Sequence, residues 1–314
     1  MLVLLASERS GSRVSKVEQR RAGAGHGCPT DEFGVDERDV RLRQRLTRIR
    51  HRVVVLSGKG GVGKSTVAVN LAVALAERGL QVGLLDIDLH GPSVPKMLHL
   101  EGVPVRDHDG APLPVRFTQN LKVMSIGFFL PSDGQAVIWR GPRKHSMIKQ
   151  LLADVQWGDL DYLVIDAPPG TGDEPLAVLE LLGTVDGAVV VTTPQQLSIT
   201  DVRKSIAFCR ELRCPVLGVI ENMSGLVCPH CGSTLEVFGT GGGEALAREA
   251  GVPFLGAVPL DRSVTLSGDH GRPFLAAHGS SPVATAFREA IVPLMALADP
   301  ATASVRGHRE EATL

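Results

Sequence analysis

Short apolar runs alternate with longer segments of helical spacing along most of the chain. Residues 53–56, Val-Val-Val-Leu, predict a buried strand, and residues 64–77 after them predict a helix. The other predicted strands are 82–86, 162–166, 187–192, 216–221 and 254–258. The other predicted helices are 93–98, 143–153, 174–182, 200–212, 243–250 and 281–296. This alternation predicts an α/β fold with a doubly wound, mostly parallel sheet that helices cover on both faces.

Four segments lie outside the alternation. Residues 1–37 and 299–314 are polar and lack periodicity, which predicts flexible tails at both ends of one domain spanning 53–298. Residues 38–52 are strongly basic with apolar positions near helical spacing, which predicts a basic helix. We interpret it as a lead-in helix packed on the domain, the alternative being a helix that meets a partner or a surface. Residues 103–126, with a turn signal at Asp109-Gly110, predict an inserted surface hairpin.

A glycine-rich loop connects the first predicted strand to the first helix. Glycines let successive backbone N–H groups converge on phosphate oxygens, and the helix that follows adds its own free N–H groups. Lys64 supplies a charge for the β and γ phosphates, and Ser65 is placed to ligate Mg²⁺. Lys59 is positioned to reach a phosphate on a neighbouring subunit, a solvated lysine being the alternative. The residues predicted to surround the phosphates are Gly58, Lys59, Gly60, Gly61, Val62, Gly63, Lys64, Ser65 and Thr66.

Acidic residues follow two of the predicted strands at the edge where such sheets bind ligands. Period-two alternation places Asp86 and Asp88 on one side of their strand. We expect Asp88 to orient or deprotonate an attacking water and Asp86 to support the magnesium shell, the alternative being a pair of capping acids. Asp166 should contact Mg²⁺ through water. Residues 167–173, with two prolines, two glycines and a final acid, are typical of a switch segment.

The five cysteines are an odd number, which argues against a disulfide framework. Cys228 and Cys231 form a Cys-x-x-Cys pair in a loop at 226–237, and this pair supplies only half of a four-ligand metal site. Two subunits related by a two-fold axis would provide four thiolates, which favours a metal bridged across a homodimer. A zinc knuckle completed by other residues, a redox dithiol and an inert loop remain open. Cys209 and Cys214 are interpreted as small buried residues.

Composition excludes several classes of function. The net charge of −1 and the 4% aromatic content give no basis for nucleic-acid binding. No apolar run reaches membrane-spanning length, and the first residues are too short for a signal-peptide core. We therefore expect a cytoplasmic protein with no stable membrane association.

Several motifs together resemble one family. The doubled-lysine loop from Lys59 to Lys64 is similar to that of the deviant Walker A ATPases, which include MinD, ParA and the nitrogenase iron protein. Within that group, four further motifs resemble the Mrp/ApbC branch of iron–sulfur P-loop ATPases. They are Asp86-Ile-Asp88-Leu-His-Gly91-Pro92-Ser93, Asp166-Ala-Pro-Pro-Gly-Thr-Gly-Asp173, Glu221-Asn-Met-Ser and Cys228-Pro-His-Cys231.

The resemblance implies a MinD/ParA-like P-loop fold in a homodimer that hydrolyses ATP. It implies a labile [4Fe–4S] cluster on Cys228 and Cys231 of both chains, received from a cluster donor and passed to apo-proteins. It also implies that Lys59 is the signature lysine, Asp88 the switch acid, Asp166 the Walker B acid and Asn222 an adenine contact. The last role suits an amide, which offers the adenine edge both a donor and an acceptor.

The chain departs from some relatives of that branch. The N-terminal tail lacks the four cysteines of a ferredoxin-like segment, and His90 stands where a small residue is common. Two alternatives remain: a positioning ATPase of the MinD or ParA type, and a P-loop ATPase with a structural zinc knuckle. The Cys228–Cys231 pair argues against the first, and metal content separates the second from a cluster carrier.

Overall fold

The computed structural model describes residues 36–130, 141–228, 230–231 and 233–297. The strands are β1 (Ile49–Ser57), β2 (Val82–Asp86), β3 (Asp107–His108), β4 (Ala111–Pro112), β5 (Val115–Arg116), β6 (Leu121–Ser125), β7 (Leu160–Asp166), β8 (Gly187–Thr192), β9 (Val216–Val227), β10 (Thr234–Leu235) and β11 (Phe254–Leu260). The helices are α1 (Glu37–Leu46), α2 (Lys64–Glu77), α3 (Val94–Met97), α4 (Gly141–Ala153), α5 (Asp173–Leu182), α6 (Gln196–Glu211), α7 (Gly242–Ala250), α8 (Arg262–Asp269), α9 (Phe274–Ala277), α10 (Pro282–Ala290) and α11 (Val292–Met295).

Within the described residues the main sheet has nine strands. Seven of them run parallel in the order β6-β2-β7-β1-β8-β9-β11, and the short strands β5 and β10 pair antiparallel with β6 and β9. Val53 and Val55 of β1 pack with α2 on one face, whereas Val54 and Leu56 pack with α4 and α5 on the other. The doubly wound, mostly parallel sheet predicted from the sequence is therefore confirmed.

The basic segment differs from its predicted form. The helix ends at Leu46, and the predicted helix to residue 52 is wrong because Ile49 already pairs with Leu160 of β7. Leu42 is buried, and two of the four arginines of α1 meet an acid. Arg38 and Arg41 both lie 3.4 Å from carboxylate oxygens of Asp154, next to α4. Part of the charge of this segment is thus compensated within the chain, as suits a packed lead-in helix.

Other differences concern the second half of the predicted hairpin and the end of the chain. β3 and β4 form the hairpin with its turn at Asp109-Gly110, but β6 is a parallel strand of the main sheet beside β2. The single helix predicted for 281–296 is two helices, because Pro293 has no N–H to continue α10.

The predicted tail at 299–314, and all but the last two residues of the tail at 1–37, lie outside the described residues. None of the described helices is long and apolar enough to cross a membrane.

Candidate functional site

The glycine-rich loop runs from the end of β1 to the first turn of α2. Gly63 caps α2 with a left-handed φ of 83°, and a Cβ there would lie 2.2 Å from Asn222 Nδ2. Asn222 in turn donates a hydrogen bond of 2.9 Å to the carbonyl of Val62. A Cβ at Gly58 would meet the backbone of Asp201 on α6 at 2.4 Å. The two ends of the loop are therefore fixed by close packing that only glycine allows.

The middle of the loop faces open space. A Cβ on Gly60 or on Gly61 would meet no atom within 4 Å, and Gly61 also has a left-handed φ of 82°. These residues line a cavity of about 320 Å³ together with Lys59 and Lys64. Its backbone curvature and its two lysines suit a polyphosphate. Lys59 is half-buried and has no ion-pair partner among the residues that the structure describes.

Lys64 lies between two of the predicted acids. Its Nζ is 2.5 Å from Asp166 Oδ1 and 3.7 Å from Asp88 Oδ2, and its side chain is only 6% exposed. The sheet explains the arrangement, since β7 lies between β1 and β2 and Asp166 pairs in register with both Val55 and Asp86. Strand order thus brings together residues separated by about a hundred positions in sequence.

Asp166 has an unfilled bonding position. Its Oδ2 is buried and has no hydrogen-bond partner among the described residues, whereas Oδ1 accepts from Lys64. Burial raises the pKa of Asp166, and the attraction of Lys64 and a hydrogen bond from Ser65 oppose that rise. A buried carboxylate oxygen beside a serine hydroxyl is a donor set that fits Mg²⁺ with its water shell.

Asp86 is held by hydrogen bonds to groups other than Lys64. Its carboxylate accepts hydrogen bonds from Ser125 Oγ at 2.8 Å, from the Asp88 N–H at 3.1 Å and from the Val94 N–H at 3.3 Å. Complete burial, together with the nearby charge of Asp166, raises the pKa of Asp86 well above its ordinary value of 3.8. β2 ends at Asp86, so strand alternation does not extend to Asp88, and the expectation that the two acids share one side stays a prediction. A magnesium role for Asp86 stays a prediction.

A contact that the sequence did not reveal joins the two loops that carry these acids. His90 follows Asp88, and its Nε2 lies 3.2 Å from Glu174 Oε1 in the first turn of α5. Lys144 of α4 lies 2.5 Å from the same oxygen and 3.2 Å from the His90 ring. The Lys144 ammonium holds the pKa of Glu174 below its usual range. His90 therefore ties the Asp88 loop to the segment that follows Asp166.

A second cavity adjoins the phosphate cavity. It has a volume of about 250 Å³, and Thr66, Ser93 and Met97 line both. Asn222 lies in its wall, with its amide N–H bonded to Val62, and the adenine contact that the resemblance implies for it stays a prediction. The two adjoining spaces suit the polar phosphates and the less polar nucleoside of one ligand.

The cysteine pair lies in an exposed hairpin. β9 continues past the sheet to pair with β10, and the Cys228 N–H donates to the Ser233 carbonyl at 2.9 Å. Cys231 Sγ lies 3.4 Å from Ser233 Oγ, and this hydrogen bond, with a smaller contribution from Cys228, lowers the pKa of Cys231. Within the described part of the chain no three metal-binding side chains form a group. Further ligands to a metal at this pair must come from elsewhere.

Glu221, which sequence reasoning had used only as part of a motif, anchors the segment after the hairpin. Its carboxylate accepts from the Ser224 hydroxyl at 2.6 Å, the Gly241 N–H at 2.9 Å and the Gly243 N–H at 2.5 Å. It is fully buried at the point where the pairing of β9 with β8 ends. The chain on both sides of the hairpin is thus fixed next to Asn222.

A parallel sheet with a glycine loop, a buried Lys64–Asp166 pair and adjoining cavities defines a P-loop NTPase. The sequence also matches, over residues 48–295, the family described as ParA, NUBPL iron-transfer P-loop NTPase. The chain belongs to this family, which confirms the resemblance and the fold class inferred from the motifs.

Individual relatives agree with this placement. The chain is 54% identical over 248 residues to the cytosolic Fe-S cluster assembly factor NUBP2 homolog of Nematostella vectensis, covering 77% of this chain and 92% of that protein. It is 48% identical over 248 residues to the iron-sulfur cluster carrier protein of Methanocaldococcus jannaschii, covering 79% and 86%. Among solved structures, the nucleotide-binding protein of Archaeoglobus fulgidus in complex with ADP superposes with a TM-score of 0.67 at 41% identity, covering 75% of this chain and 92% of that one.

Proposed function

We propose that this protein binds and hydrolyses ATP and carries a labile [4Fe–4S] cluster between two subunits for transfer to apo-proteins. The observation that carries the proposal is the continuity of β9. Asn222 on this strand bonds to the phosphate loop at Val62, and the same strand ends immediately before Cys228. One rigid element therefore touches both the nucleotide site and the cargo site, as a nucleotide-controlled carrier requires.

The nucleotide half of the mechanism follows from Lys64. Incoming β and γ phosphates compete with Asp166 and Asp88 for the Lys64 ammonium, so nucleotide binding rearranges the acids as well as the loop. Asp88, freed from Lys64, is positioned to orient the attacking water. Mg²⁺, when bound by Ser65 and by Asp166 through water, would neutralise charge on the phosphates. Lys59 extends from the same loop toward a phosphate on the second subunit.

The cargo half follows from the hairpin. Cys228 and Cys231 supply two thiolates per chain, so two chains supply the four that a cubane cluster needs. The hairpin also carries Val227, Leu235 and Val237, which are 49%, 48% and 54% exposed. Apolar side chains beside a ligand pair suit a surface that a second copy covers, and this supports a dimer in which the two cysteine pairs lie near one another.

The proposed partners are a cluster donor and apo iron–sulfur proteins. The relative from Nematostella vectensis is named a cytosolic assembly factor, and this supports a cytoplasmic location for the present chain. Compensation of Arg38 and Arg41 by Asp154, and a net charge of −1, support the expectation of no stable membrane association and no nucleic-acid partner.

The test is the iron, zinc and acid-labile sulfide content of the full chain after anaerobic reconstitution, with a visible spectrum. Four iron and four sulfide per dimer, with broad visible absorption, are expected for the wild type. Cys231→Ala should lose both while the far-ultraviolet circular dichroism stays unchanged. Cys28→Ser is the matched control and should keep the cluster. Full iron content in Cys231→Ala would refute the cysteine assignment, and zinc alone would favour a structural knuckle.

Turnover should be slow in the isolated protein, because the switch segments are expected to need a partner or the cluster to order them. Phosphate release by reconstituted and metal-free protein measures this. Fast hydrolysis that does not change with cluster or partner would contradict the proposed control by cargo.

A further inference from the structure

Two cysteines outside the proposed cluster site meet at the end of α6. Cys209 lies in the last turn of the helix, and Cys214 lies just beyond it at the start of the segment leading to β9. They are 0% and 5% exposed and belong to the same apolar cluster. The nucleotide and cluster chemistry described above uses neither thiol.

The backbone at this point has the hydrogen bonds of a Schellman motif. The Cys214 N–H donates to the Cys209 carbonyl at 2.8 Å, and the Arg213 N–H donates to the Arg210 carbonyl at 3.0 Å. Arg213 takes the left-handed conformation that ends such a motif, with φ 54°. The motif brings the side chains three positions before and two after the helix end into contact. Here those two side chains are both thiols.

The spacing satisfies the requirements of a disulfide. The 2.8 Å hydrogen bond limits the separation of the two Cα atoms to about 6.7 Å at most, by standard bond lengths. Bridged cysteines have Cα atoms about 4.4–6.8 Å apart. The two thiols also lie within hydrogen-bonding reach of each other. Little backbone movement is therefore needed to join the sulfurs.

The two thiols differ in their accessibility and in the direction of their pKa shifts. Cys214 lines a cavity of about 490 Å³ that opens beside Gly183 and Arg213, whereas Cys209 is fully enclosed. The hydrogen bond from Cys209 lowers the pKa of Cys214, and the same bond together with burial raises the pKa of Cys209. Cys214 is thus the thiol that a small oxidant reaches and that ionises first.

We propose that Cys209 and Cys214 form a peroxide-sensitive dithiol that closes reversibly to an intrachain disulfide. The Cys214 thiolate attacks a hydroperoxide, the O–O bond breaks, and Cys214 becomes a sulfenic acid as hydroxide or alkoxide leaves. The Cys209 sulfur then attacks the Cys214 sulfur, releasing the sulfenic oxygen as water. With hydrogen peroxide the sum is two thiols and one peroxide giving one disulfide and two waters.

The proposal does not rest on cluster binding. The bridge would fasten the end of α6 to the segment entering β9, and α6 packs at Asp201 against the phosphate loop at Gly58. Only four residues separate the cysteines, so closing this short loop removes less chain entropy than a bridge across a longer loop would.

The test uses the full chain with Cys28, Cys228 and Cys231 replaced by serine, its fold checked by circular dichroism. Hydrogen peroxide should convert two titratable thiols to none and remove two hydrogens from the mass, and dithiothreitol should reverse both. Trypsin cleaves after Arg210 and Arg213, so a non-reducing digest should link peptide 205–210 to peptide 214–248. Adding Cys209→Ser should abolish the link and leave Cys214 as a sulfenic acid or a higher acid.

Two free thiols after peroxide, or a bridge between two chains, would overturn the proposal. If the triple variant does not fold, the exposed thiols of native wild type are alkylated with iodoacetamide before peroxide is added. The same linked peptides, now with alkylated Cys228 and Cys231, are then expected. Their absence, with Cys209 and Cys214 recovered as thiols, would refute the pairing equally.

Discussion

Replacing Gly63 with alanine tests the link between the phosphate loop and β9. Gly63 has a φ of 83°, and a left-handed conformation costs an L residue about 1–2 kcal/mol. The new Cβ would stand 2.2 Å from Asn222 Nδ2, so the amide must rotate and lose its 2.9 Å hydrogen bond to Val62. A lost hydrogen bond of this kind costs about 1 kcal/mol. We therefore expect Gly63→Ala to lower the free energy of unfolding by about 2–3 kcal/mol.

Alanine at two neighbouring glycines separates the cost of the left-handed backbone from the cost of the contact with Asn222. Gly61→Ala adds the left-handed strain without a contact and should cost about 1–2 kcal/mol, whereas Gly60→Ala adds neither and should leave stability within about 0.5 kcal/mol. Urea unfolding of all three variants measures this, and titration with a fluorescent ATP analogue measures affinity. All three should weaken nucleotide binding. Equal stability of Gly63→Ala and Gly60→Ala would refute the contact with Asn222.

Three further perturbations follow from the site and its surroundings. Lys64→Ala should abolish productive ATP binding and cost about 1–3 kcal/mol, because a buried carboxylate loses its partner; unchanged ATP affinity and turnover would contradict the loop assignment. Asp86 has a folded pKa raised above 3.8, so its contribution to stability is full below that value and is lost as pH rises through the folded pKa. Asp86→Asn should therefore flatten the pH dependence of unfolding between about pH 4 and pH 9, and parallel curves for the two proteins would refute this. Asp159→Asn removes an exposed pair with Arg48 and should leave the urea midpoint of unfolding nearly unchanged, a clear decrease being inconsistent with a solvated pair.

Local signals were sufficient for the elements next to the phosphate loop. α2 and β2 have the bounds predicted from the sequence, because Gly63 and the turn at Gly79 mark the ends of the helix without ambiguity. β6 was missed because Lys122 interrupts its apolar run and the strand directly follows a true hairpin. Its place in the sheet depends on pairing with β2, a long-range contact that no local pattern reveals.

In the candidate site too, some features follow from local sequence and others depend on contacts between distant residues. The motif placed Lys64 and Asp166 correctly in one site because their roles follow from strand ends in a parallel sheet. It did not give the direction of Asp86, whose partner Ser125 belongs to the unpredicted strand β6. Nor did it explain His90, since the contact with Glu174 depends on how α5 begins in space. Beyond the end of a strand, the direction of a side chain depends on tertiary contacts.

The cysteine hairpin extends from the sheet through β9 and returns through β10, and Glu221 fixes the chain before and after it. Asn222 and Cys228 are six residues apart, which at about 3.3 Å per residue is at most about 20 Å. This separation is short enough for a shift of Asn222 to reach the thiol pair along one strand. We therefore expect that residues 226–235 can be replaced as a unit. A different set of metal ligands placed between β9 and β10 would alter the cargo and leave the nucleotide site intact.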